Sequence, residues 1–70
     1  LKEKIEFEII QLPEKSREVF KAVVLENLTY KQVAERYHIS VNTVKTHYSN
    51  ALRQLRRNLG KIVAFLLLFS

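Results

Sequence analysis

Six polar residues between Val41 and Leu59 are candidates for chemistry: Asn42, Lys45, Thr46, Ser49, Asn50 and Arg53. They recur at spacings of three and four, which puts them on one face of a helix. The face is rich in amide and hydroxyl groups. The whole stretch from Val41 to Leu59 has no acidic residue, whereas an ordinary solvated helix face usually carries Glu. Such a face suits the major groove of duplex DNA, where base edges display distinct donor and acceptor patterns. Lys45 suits guanine, Asn50 suits adenine, and the short Thr46 and Ser49 let a helix come close. Ser40, Thr43 and the N–H groups at a helix start can hold a phosphate. Thr29, Tyr30 and Lys31 can do the same one helix earlier.

Catalytic chemistry has much less to draw on. His38 and His47 are nine residues apart, and the chain has no Cys and no Asp. A metal cluster therefore has few ligands, and no cofactor is expected. Ser16, Ser40 and Ser49 lack a base and an orienting partner at workable spacing. The chain is not expected to be an enzyme.

The elements that must hold the polar face can be read from local signals. Leu1, Ile5, Ile9 and Leu12 have helical spacing and predict a first helix over Leu1 to Gln11, which Pro13 ends. Pro13 is also a good first residue for a second helix, with Val19, Phe20, Val23 and Val24 inward. That helix should stop near Asn27, a residue that tolerates the left-handed conformation. Thr29 and Gln32 form a capping box for a third helix, Tyr30 to Tyr37, with Val33, Ala34 and Tyr37 inward. Ser40 caps a fourth helix, Val41 to about Asn58, whose apolar stripe is Val44, Tyr48, Ala51 or Leu52, Leu55 and Leu59. Gly60 stops it.

Two short helices joined by a tight turn, the second polar and exposed, are a helix-turn-helix, here over about residues 30–49. Ala34 sits where the two helices come closest, and Ile39 and Val44 plug the small core between them. The turn position usually has positive φ, and His38 occupies it at some cost. The expected fold is all-α: a small helical bundle with a C-terminal helix-turn-helix, a winged-helix-like core of three to four helices without a wing.

Composition agrees. Seventy residues make one domain, 47% apolar, with one Gly and one Pro. Such a chain buries a core but cannot be a turn-rich all-β fold. From Lys31 onward seven basic residues face one acid, +6; residues 1–30 hold five basic and six acidic groups, −1. A basic face of this kind suits a polyanion. The chain holds no Met, so it reads as a fragment of a longer protein. The longest apolar run, Ile62 to Phe69, is eight residues, too short to span a membrane. A soluble, cytoplasmic protein is expected. Residues 61–70 form an apolar tail, expected to be helical, that packs on this domain or makes a homodimer. An interaction-only module is the competing reading that this tail motivates.

The residues also resemble a family. Leu12-Pro13-Glu14-Lys15-Ser16-Arg17-Glu18-Val19-Phe20 resembles the opening of region four of bacterial sigma factors. Leu28-Thr29-Tyr30-Lys31-Gln32-Val33-Ala34 resembles its first helix-turn-helix helix. Ile39-Ser40-Val41-Asn42-Thr43-Val44-Lys45-Thr46 and Ala51-Leu52-Arg53-Gln54-Leu55-Arg56 resemble its recognition helix. The resemblance covers about residues 5–59 and looks closest to the extracytoplasmic-function (ECF) group. It implies sequence-specific binding to the promoter minus-35 element as part of a sigma factor. The partners implied are duplex promoter DNA, the beta-subunit flap of core RNA polymerase, and an anti-sigma factor. It places Lys45, Thr46, Ser49 and Asn50 at base-facing positions. Several relatives carry Arg where Lys45 and Asn50 stand, and Lys and Arg read bases differently.

A second resemblance shares part of the motif. Thr43-Val44-Lys45-Thr46-His47 is similar to the C-terminal DNA-binding domain of LuxR-type response regulators. Those usually carry a Gly-Val segment after the recognition helix and then another helix packing back. Here the fourth helix runs on through Leu52-Arg53-Gln54-Leu55-Arg56-Arg57, and the Leu12-Pro13-Glu14 opening favours the sigma reading.

Overall fold

The computed structural model of the chain describes residues 2–60. Four helices follow one another: α1 (Lys2–Ile10), α2 (Glu14–Val24), α3 (Tyr30–Tyr37) and α4 (Val41–Leu59). Among the described residues there is no strand, so the all-α expectation holds. The expected tail helix over residues 61–70, and the homodimer it would make, lie outside the described residues. No described helix is long and apolar enough to cross a membrane.

Helix α4 is the spine against which the other three pack. One apolar cluster joins Leu12, Phe20, Ala51 and Leu55, with Ile5, Ile9, Leu52 and Leu59 half-buried around it. It holds α1 and α2 on the C-terminal half of α4. A second cluster joins Val19, Ala22, Val33, Ala34 and Val44 beneath Tyr37 and Ile39, and it holds α3 on the N-terminal half. Tyr48 packs against both clusters. Its ring stacks on Phe20 at 6.2 Å and meets Tyr30 at 5.8 Å, tilted by 58°. Burial, and then the neighbouring Tyr30, push the Tyr48 phenol above its ordinary pKa. Both effects disfavour the phenolate.

The buried face of α2 is broader than its apolar spacing suggests. Ser16 and Ala22 are buried beside Val19 and Phe20, while Val23 and Val24 are only half-buried. Small side chains at Ser16, Ala22 and Ala51 let helix backbones approach closely. On α4 the alternative between Ala51 and Leu52 resolves as well: Ala51 is fully buried and Leu52 flanks it. Polar bonds tie α1 to the far end of α4. Gln54 Nε2 donates to the Gln11 carbonyl at 3.4 Å, and Asn58 Nδ2 donates to Glu8 at 2.9 Å. Phe7 and Ile10 point the other way and are 58% and 64% exposed.

Two helix boundaries differ from expectation. Pro13 is not the first residue of α2 but its cap, with φ −52° and ψ 146°. Its carbonyl accepts the first helical bond, from Arg17 N–H at 2.8 Å. The far end of α2 stops at Val24, earlier than Asn27. The Leu25 and Glu26 N–H groups both return to the Lys21 carbonyl, so the helical ladder closes there. Asn27 does take positive φ, 56°, but in the connection that follows, where it swings the Leu28 N–H back to the Ala22 carbonyl.

Candidate nucleic-acid interface

The helix-turn-helix is assembled from two capped starts and one left-handed residue. Thr29 Oγ1 accepts from Gln32 N–H at 3.1 Å, and the Gln32 side chain accepts from Thr29 N–H at 2.8 Å. That is the capping box expected from the spacing, and it fixes where α3 begins. At the other end His38 has φ 56° and ψ 46°, the left-handed conformation expected at the turn. The His38 and Ile39 N–H groups both return to the Ala34 carbonyl, and three residues, 38–40, join α3 to α4. Ser40 Oγ then accepts from Thr43 N–H at 3.0 Å and starts α4. Ser40 and Thr43 also share a hydroxyl–hydroxyl bond of 2.9 Å. Ala34, Val33 and Val44 are buried at the crossing of α3 and α4, with Ile39 capping the gap.

A clamp fixes α3 from outside. The Arg36 guanidinium donates to both oxygens of Glu26, at 3.0 and 2.9 Å, joining α3 to the connection before it. This bond with Glu26 holds the Arg36 pKa above its ordinary value.

The structure brings the expected reading residues together. Asn42, Lys45, Thr46, Ser49, Asn50 and Arg53 are all exposed. At 3.6 residues per turn they fall within an arc of about 140°, opposite Val44, Ala51 and Leu55. Not all of their polar atoms point outward, since the Thr46 hydroxyl donates to the Asn42 carbonyl at 3.1 Å. The expected phosphate-holding residues form two smaller groups at the helix starts. Thr29 and Lys31 are exposed, but Tyr30 is half-buried against Tyr48. Ser40 is exposed and Thr43 half-buried. The Thr29 and Ser40 oxygens accept the cap bonds, which leaves the Thr29 hydroxyl proton, the Lys31 ammonium and uncapped backbone amides at the first turns of α3 and α4 as donors to an anion.

Packing adds residues that periodicity does not reveal. A groove between the start of α2 and the outer side of α4 is lined by Lys15, His47, Asn50, Arg53 and Arg57, with one acid, Glu14, among them. Lys15 is on α2, outside the helical period of α4, and it lines this surface because α2 packs against α4. The basic count of the second half of the chain was the one sequence signal for such a surface. Among the described residues no three His, Cys, Asp or Glu side chains group as a metal site.

A family model described as Sigma-70, region 4 matches residues 2–55. The chain belongs to the sigma-70 region 4 family. The match spans α1 through most of α4, including the α1–α2 opening that a bare helix-turn-helix lacks. Region 4 is a helix-turn-helix domain with which a sigma factor binds the promoter minus-35 element in the company of core RNA polymerase. The family is one of DNA-binding domains rather than enzymes. No curated protein and no solved structure matches the chain.

Proposed function

We propose that this region 4 domain reads minus-35 DNA by laying α4 in the major groove, with Asn42, Lys45, Thr46, Ser49, Asn50 and Arg53 toward the bases. The starts of α3 and α4, at Thr29, Tyr30, Lys31, Ser40 and Thr43, contact flanking phosphates. The domain spans residues 1–60. The observation that carries this reading is the acid-free exposed face of α4, held by two capped helix starts against a buried Ala34–Val44 crossing. Phosphate contacts set the register of such a helix, and side chains on its face then discriminate bases. The reading extends to the ECF group, on the motif segments from Leu12 to Phe20 and from Ile39 to Arg56. Members of that group are commonly held by an anti-sigma factor, which we propose here too.

The test is selection of duplex DNA from a randomised pool by the 70-residue chain at low salt. One enriched sequence class, bound more weakly as salt rises, is expected. A pool that stays unenriched with the chain alone and again with the chain as part of a sigma factor on core RNA polymerase, α4 substitutions leaving binding unchanged in both, refutes the groove assignment.

A further inference from the structure

Thr46 stands near the middle of the α4 reading face, between Asn42, Ser49 and Asn50. Its neighbours Lys45, Asn50 and Arg53 end in hydrogen-bonding heads. Thr46 differs, because its hydroxyl turns back on its own helix and donates to the Asn42 carbonyl at 3.1 Å. This back-bond one turn toward the N-terminus is a known alternative for Thr in helices. It has a consequence for what the side chain presents. Threonine Cβ carries a hydroxyl and a methyl. With the hydroxyl folded onto the backbone, the Cγ2 methyl is the group left to reach outward. The Thr46 side chain is exposed, so that methyl meets whatever lies against the face.

In the major groove one base edge carries an apolar group: the C5 methyl of thymine. We propose that Thr46 is a specificity residue that selects thymine by packing its Cγ2 methyl on the thymine C5 methyl, with Asn42 O acting as the tether that holds this rotamer. The inference rests on the assignment of α4 to the major groove and adds the base and the contact at one position. A donating hydroxyl keeps lone pairs and can still accept from cytosine N4 or adenine N6. The two modes differ in which half of the side chain is needed.

Deoxyuridine separates them, because it pairs like thymine but lacks the methyl. Each thymine of the selected duplex is replaced singly, and binding of the 70-residue chain is measured. One position is expected to weaken binding about threefold to fivefold, the scale of one methyl removed from an apolar contact. Thr46→Val keeps the methyl and should keep that penalty. Thr46→Ser keeps the hydroxyl and should abolish it, binding thymine and deoxyuridine duplexes alike. Circular dichroism of both variants checks that α4 is intact. If Thr46→Ser retains the wild-type penalty, or Thr46→Val loses base preference while Thr46→Ser keeps it, the methyl contact is wrong although α4 still reads DNA. If no duplex is selected at all, the groove assignment fails first and this inference falls with it.

Discussion

Lys45, proposed to read a base, and His38, which makes the turn, differ in what their removal should do. Lys45 is exposed on the proposed reading face and packs into neither apolar cluster, so its removal leaves both clusters whole. Lys45→Ala should leave thermal stability unchanged and cost on the order of 1–3 kcal/mol at one base-pair position of the selected duplex, with the other positions indifferent. Competition with single-base variants of that duplex measures this, and a uniform loss at all positions would make Lys45 a phosphate contact instead. His38 does structural work. A left-handed conformation costs a residue with a Cβ roughly 1–2 kcal/mol. Glycine escapes that cost but adds unfolded-state freedom worth roughly 0.5–1 kcal/mol. His38→Gly should therefore raise stability by about 0–1.5 kcal/mol, read as a small upward shift of Tm with DNA binding retained. A lowered Tm would mean that the His38 ring makes contacts worth more than the backbone strain. The left-handed turn at His38 is legible in the sequence, because it depends on immediate neighbours in the chain.

At the scale of helices, legibility follows how local the controlling interaction is. α3 and α4 begin where Thr29 and Ser40 predict, since a cap is closed within three residues by Gln32 and Thr43. The ends of α2 were harder. Pro13 suits either a cap or a first helical residue, and only its ψ distinguishes them. Asn27 signals a left-handed turn but not how many residues separate that turn from the helix end. The burial of Ser16 and Ala22 on α2 is not legible in the sequence, because it comes from the crossing with other helices and not from apolar spacing. The caps make a direct prediction. Ser40→Ala removes the acceptor for Thr43 N–H and should cost about 1 kcal/mol. Because the loss frays the first turn of α4, which also carries Asn42, DNA binding should weaken along with stability. Urea denaturation and duplex titration on the same variant test the pairing; stability lost without any loss of binding would detach the α4 start from phosphate contact.

Over the whole molecule, charge and topology act together. The sequence places seven basic residues and one acid from Lys31 onward, but it does not say that Lys15, from the acidic part, joins them. The packing of α2 on α4 makes Lys15, Arg53 and Arg57 line one groove, together with Glu14, next to the proposed reading face at Asn50. A duplex seated on α4 would bring a backbone along that flank, where Lys and Arg side chains neutralise phosphates without reading bases. Each neutralised phosphate contributes about −0.9 to the slope of log K against log salt. Lys15→Ala and Arg57→Ala should each make that slope shallower by about one while leaving the selected sequence unchanged, and the double variant should lower it by about two. Titrations of the selected duplex from about 50 to 200 mM salt give the slopes directly. Unaltered slopes in the double variant would remove the groove from the DNA path. The interface would then be confined to α4 and the starts of α3 and α4, and the cluster of Lys15 with Arg57 would be left as a solvated surface beside it.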